Sequence, residues 1–247
     1  MNHMYEDGTL QSFFHSEASP WWTVNKNKEL CPGRLLMAFV PHTDLIPNVL
    51  IPESRSEATV HNRINYRIED FSVANPPPNP KLPTAALQDF PGERKFVYRA
   101  KKRPVVVVSL GGPEIPKDLR PGTKPKWQTA PTMLVAPYYG SEENDFRAGW
   151  HGALVERIQR CEYPQYMWER LPINNPSRES ILKFDHIQPL GRHYKSFEMT
   201  DYVLCDEALE VLNDWLMWLT RNEMPEKSSL YEIRESLLEI NGSYTSE

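Results

Sequence analysis

Four consecutive valines, Val105 to Val108, form the strongest local pattern in the chain. An unbroken β-branched run cannot alternate between core and solvent, so it predicts a strand covered on both faces. Pro104 is expected to open that strand, where its missing N–H disturbs no ladder bond. Apolar runs of strand length also occupy residues 33–40, between Pro32 and Pro41, and residues 132–139. Residues 166–173 and 180–190 are two further strand candidates. Leu154, Val155 and Ile158 stand at helical spacing and predict a short helix within 149–161. Leu204, Ala208, Val211, Leu212, Trp215 and Leu219 then recur at steps of three and four. They predict an amphipathic helix capped by Thr200 or Asp201 and finished before Pro225. Ser229-Leu230-Tyr231-Glu232 has the spacing of a capping box, so a shorter helix should run on through Ile233, Leu237 and Ile240.

Five short strands followed by helices indicate an α+β fold: a small curved antiparallel sheet, barrel-like, with helices attached at the C-terminus. Residues 1–30 carry Phe13-Phe14 and Trp21-Trp22 without clear periodicity, and are expected to form an extension packed on the domain by its aromatics. The barrel domain is expected over 31–222, interrupted between its first two strands by a long insertion at 41–100, with a helical extension at 223–247. A connection of about sixty residues far exceeds an ordinary loop, so it should be functional, partly structured or an insertion.

Composition narrows the class. A hydrophobic content of 40% in 247 residues supports a globular core. No apolar run approaches a membrane span, and the opening residues lack the basic-then-apolar order of a secretory leader. Cys31, Cys161 and Cys205 are an odd, scattered set without CxxC spacing, which argues against a disulfide framework or a zinc knuckle. A cytoplasmic location is the expectation, with no membrane partner. The net charge of −5 is unevenly spread. Residues 94–126 hold ten basic residues against Glu114 and Asp118, a local excess of about +8, which leaves about −13 elsewhere. Such segregation suits a face that grips a polyanion, and equally a solvated basic loop.

No P-loop, GxGxxG, GxSxG or HExxH motif is present, and Gly111-Gly112 is a turn. The order of four segments nevertheless resembles a known family. They are Gly33-Arg34-Leu35-Leu36-Met37, Arg103-Pro104-Val105-Val106-Val107-Val108-Ser109, Leu134-Val135-Ala136-Pro137-Tyr138-Tyr139 and Ser180-Ile181-Leu182-Lys183-Phe184-Asp185-His186-Ile187. They are similar to the G-D-I-V, R-P-V-V-V-x-S, V-x-x-P-x-T and V-x-x-D-Q-I segments of the MazF/PemK-type toxins, in an enlarged and divergent form. The resemblance implies an SH3-like barrel and a metal-independent endoribonuclease that needs no cofactor. Such enzymes cleave single-stranded RNA by attack of the ribose 2′-OH on the adjacent phosphate. A protein antitoxin and a homodimer are the partners it implies.

The resemblance places Arg103 on the phosphate, a role that suits the planar guanidinium fork. Tyr139 falls where the family has threonine, and a phenol there can donate a proton or a hydrogen bond. Lys183 and Asp185, two apart on a strand, share a face and resemble the family's R-x-D pair. A cation beside Asp185 favours its carboxylate form, as a base requires. His186 replaces the family's glutamine, and strand alternation points it away from Asp185. His42, just past the first strand, is a second candidate base. Lys101, Lys102, Lys124 and Lys126 are candidate RNA-backbone contacts, and Tyr138 a candidate for base stacking. The alternative function is the same barrel without catalysis, acting as an RNA- or protein-binding module.

Overall fold

The computed structural model describes residues 8–14, 20–55, 57, 59–60, 64–78, 80, 92–119, 132–142, 149–173 and 178–242. The chain divides into two compact units, Met1–Phe39 with Lys102–Glu247, and Val40–Lys101.

The first unit is α+β. Its sheet is a curled antiparallel half-barrel whose strands lie in the order β1-β11-β2-β6-β7-β9-β8. These strands are β1 (Trp22–Val24), β2 (Arg34–Pro41), β6 (Ala100–Ser109), β7 (Met133–Gly140), β8 (Tyr166–Arg170), β9 (Glu179–Lys183) and β11 (Phe197–Leu204). A short β10 (Gln188–Leu190) also pairs with β7. The second unit carries β3 (Asn48–Arg55), β4 (Ile64–Asp70) and β5 (Phe96–Val97), an antiparallel sheet ordered β4-β3-β5. The long segment after β2 is thus built around its own sheet.

The valine run is covered on both faces as its pattern requires: Val105, Val106 and Val107 are all fully buried. Pro104 is not the first residue of its strand, because β6 begins four residues earlier at Ala100. Its ladder with β7 starts only at Val105, opposite Pro137, so the missing N–H of Pro104 costs nothing there. Gly111, just beyond the strand, has φ +73 and makes the turn a glycine permits.

The described residues include the α-helices α1 (Gly152–Gln159), α2 (Asp206–Arg221) and α3 (Ser229–Gly242), with α3 packed on α2. α2 buries Ala208, Val211, Leu212 and Trp215, the expected i, i+3, i+4, i+7 face. Its start differs from the expectation. Thr200 and Asp201 lie inside β11, where the Thr200 hydroxyl donates to the Leu35 carbonyl at 2.6 Å. The cap is Cys205, whose sulfur accepts from the Ala208 N–H at 3.3 Å. Leu204 therefore ends a strand, although its spacing fits the helix. The cap of α3 also shifts by one: the Ser228 hydroxyl accepts from the Tyr231 N–H at 3.1 Å. Leu230, Ile233 and Leu237 then join α2, Val106, Ala136, Met167 and Leu182 in one core.

Three of the four N-terminal aromatics pack on the domain, whereas Phe13 is 43% exposed. Trp21 is fully buried, Trp22 is 5% exposed, and Phe14 meets Trp21 edge-on at 4.9 Å. This segment also contributes a strand, β1, which its sequence does not announce. Residues 166–173 form a strand only to Arg170. Residues 180–190 do not form one strand. β9 stops at Lys183, a 3-10 turn takes Phe184–His186, and β10 resumes against β7. Phe184 explains the break: it is buried and stacks on Trp215 of α2, with ring centroids 5.7 Å apart and planes 15° from parallel. Among the described residues no helix is long and apolar enough to cross a membrane.

Candidate functional site

Strand pairing decides which side chains share a face. In the β6–β7 ladder Val105 stands opposite Pro137, and two residues further on each strand are Arg103 and Tyr139. In the next ladder Tyr139 faces Ile181, and beyond that Trp168 faces Ile181 and Tyr166 faces Lys183. With a side-chain period of two, Arg103, Tyr139, Lys183 and Tyr166 lie on one face of the sheet. Tyr138, Leu182 and Met167 lie on the other, inside the core.

The contacts follow from that register. The Arg103 guanidinium carbon sits 4.1 Å from the centre of the Tyr139 ring, over its face. The Lys183 ammonium lies 5.7 Å from the Tyr139 ring and 5.5 Å from the Tyr166 ring. Lys183 also pairs with Asp185, Nζ to Oδ2 at 3.7 Å. The Tyr139 hydroxyl and His186 Nδ1 are 2.9 Å apart and hydrogen-bonded, with the rings nearly perpendicular. Either the phenol donates to a neutral imidazole or Nδ1–H donates to the phenol oxygen. Alternation along a continuous strand would turn His186 away from this group. The 3-10 turn at Phe184–His186 replaces that alternation and brings His186 back onto Tyr139. Asp185 and His186 thereby serve one cluster.

Burial grades this group. The Lys183 side chain is 15% exposed and that of Asp185 39%, so the cation is largely covered while the carboxylate meets solvent. The position of the turn is set from behind. Phe184 stacks on Trp215, and the Trp215 indole N–H donates to the Pro164 carbonyl at 2.8 Å, one turn before Tyr166. α2 thus fixes both the turn and the start of β8. Tyr166 is held protonated beyond the ordinary phenol range, first by burial and then by the negative charge of Asp185.

Tyr138 is 2% exposed and its hydroxyl faces the buried Glu169, so its ring is closed to a nucleic acid. One residue of strand alternation separates it from Tyr139. Lys102 is exposed and paired with Glu198 at 2.6 Å. Lys101 is exposed. His42 belongs to the second unit, where its backbone N–H donates to the Arg99 carbonyl at 2.9 Å. Lys124 and Lys126 lie outside the described residues.

Tyr166 is the member of the cluster that sequence reasoning misses. It opens a strand, and nothing local marks it as different from a packing residue; only the pairing with Lys183 places it here. Among the described residues no three His, Cys, Asp or Glu side chains converge as metal ligands. Comparison with protein-family models, with curated proteins and with solved structures found no match to this chain.

What the cluster offers chemically is compact. A guanidinium, a lysine amine and an imidazole surround one phenol, with a carboxylate beside them. Such a group can bind a phosphodiester through its non-bridging oxygens and move protons on either side of it.

Proposed function

We propose that the chain is a metal-independent endoribonuclease of the MazF/PemK type, acting on single-stranded RNA. The observation that carries this reading is the convergence of Arg103, Tyr139, Lys183, Asp185 and His186 on one sheet face. Arg103 and Lys183 hold the non-bridging oxygens and offset the charge that gathers on the phosphorane. Asp185 accepts the 2′-hydroxyl proton as that oxygen bonds to phosphorus. The bond from phosphorus to the 5′ oxygen breaks, and the departing oxygen takes a proton from His186, oriented through Nδ1 by Tyr139. The products are a 2′,3′-cyclic phosphate and a 5′-hydroxyl. A protein antitoxin and a second copy of the chain are the partners that accompany this reading, and the cytoplasm its location.

The test is cleavage of a mixed single-stranded RNA by the purified protein in EDTA. Cyclic-phosphate ends that vanish in Arg103→Ala support the enzyme. Tight RNA binding without cleavage by the unmodified protein overturns it in favour of a binding module.

A further inference from the structure

Beside the cluster, three aromatic side chains form a half-buried row whose rings are not absorbed into the core. Tyr166 is the first, already under the Lys183 ammonium. Trp150, just ahead of α1, meets it at 5.4 Å between centroids and 83° between planes. Tyr163, just after α1, meets it at 6.4 Å and 69°. All three pack at the margin of the small cluster formed by Ile158, Trp168 and Ile181, and all three remain partly open to solvent. Neither contact is a face-to-face stack, in contrast to the buried pair of Phe184 and Trp215.

Cations flank this group of rings. Arg103 covers Tyr139, Lys183 stands between Tyr139 and Tyr166, and the Arg157 guanidinium lies 4.9 Å from the Tyr163 ring. Arg157 is held there by Glu162, whose carboxylate accepts from Nε at 2.6 Å, while its side chain stays 54% exposed. Rings with cations on either side suit a base with its flanking phosphates. An apolar partner has no use for that charge.

We infer that Tyr166, Trp150 and Tyr163 form a base-stacking subsite for a nucleotide flanking the scissile phosphate, with the RNA running from the cluster across β8 towards α1. This rests on the nuclease reading and adds to it the path of the strand. Stacking on a π-face is tolerant of base identity, so the subsite supplies affinity and register more than sequence choice. The neutral phenol of Tyr166 suits the place, since a phenolate would repel the backbone.

The test uses a short RNA with a single 2′-deoxy sugar at the cleavage position, which binds without being cut. Tyr166→Leu keeps an apolar side chain beside Lys183 and removes the π-face, whereas Tyr166→Phe keeps both. Expected is a loss of affinity of roughly 10- to 100-fold in Tyr166→Leu and little change in Tyr166→Phe. An abasic sugar at one flanking position should weaken the unmodified protein by a similar factor and leave Tyr166→Leu indifferent. Equal affinities for Tyr166→Leu and the unmodified protein, or no position at which an abasic sugar matters, overturns the subsite. Arg103-dependent cleavage surviving either result would leave the nuclease reading standing alone. Failure of the unmodified protein to bind or cut RNA overturns both.

Discussion

Glutamine in place of Glu169 should make the protein more stable at neutral pH, and by an amount that grows with pH. Glu169 is fully buried on the core face of β8. The Trp21 indole N–H donates to its Oε2 at 3.0 Å, and the side chains of Tyr138 and Trp22 face the same carboxyl. Among the described residues no cation is paired with it. Burial outweighs these hydrogen bonds and pushes its pKa from 4.5 up to about 8. Between those two values the unfolded chain has released the proton and the folded chain still holds it. Unfolding therefore releases a proton, and stability falls as pH rises through this window. At pH 7 the cost of keeping the acid neutral is about 3 kcal/mol. Glutamine is neutral at every pH and keeps an acceptor for Trp21. Urea unfolding followed by tryptophan emission, at pH values from 5 to 9, gives the difference between the two proteins directly, because other titrating groups cancel. That difference should widen by about 1.4 kcal/mol per pH unit up to pH 8 and then level off. Parallel stability curves across this range would refute the reasoning, since they would mean that Glu169 ionises in the folded protein as it does in the unfolded one.

Tyr139→Phe keeps the ring under Arg103 and removes the bond to His186, so under the proposed nuclease function cleavage should slow by about 10²- to 10⁴-fold while RNA affinity is retained. Single-turnover rates beside binding titrations check this; an equal loss of affinity would give Tyr139 a binding role only. Gly111→Ala forces a Cβ onto the backbone carbonyl of Thr132 at a positive φ, and denaturant midpoints should show a loss of about 1–3 kcal/mol. Arg34 is fully buried, and its guanidinium donates to the carbonyls of Asn25 and Asn27, both at 2.9 Å. Arg34→Met should destabilise by about 3 kcal/mol and expose the Trp21-Trp22 segment to limited proteolysis, whereas an unchanged digestion pattern would detach Arg34 from that segment. If the basic stretch at 94–126 holds the RNA backbone, affinity should fall steeply between 50 and 200 mM salt. A flat response assigns that stretch to another task.

Patterns that depend on the chain's own neighbours were legible. The valine run could only be covered on both faces, and the spacing of Ala208, Val211, Leu212 and Trp215 could only be one face of a helix, because local period dictates which side chains share a surface. Lys183 and Asp185, two apart in sequence, were likewise readable as neighbours, although Asp185 lies in the 3-10 turn beyond β9. Tertiary packing decided the rest. Phe184 is drawn onto Trp215, which ends β9 and turns His186 towards Tyr139 against strand alternation. Leu204 belongs to both a helical spacing and a strand, and pairing with Trp22 chose the strand. Tyr138 and Tyr139 are the same residue type in succession, yet one closes the core over Glu169 and the other carries Arg103. A sequence supplies residue types and periods. Which ring meets which charge is settled by the register between strands far apart in the chain, and by the surroundings from which burial excludes water.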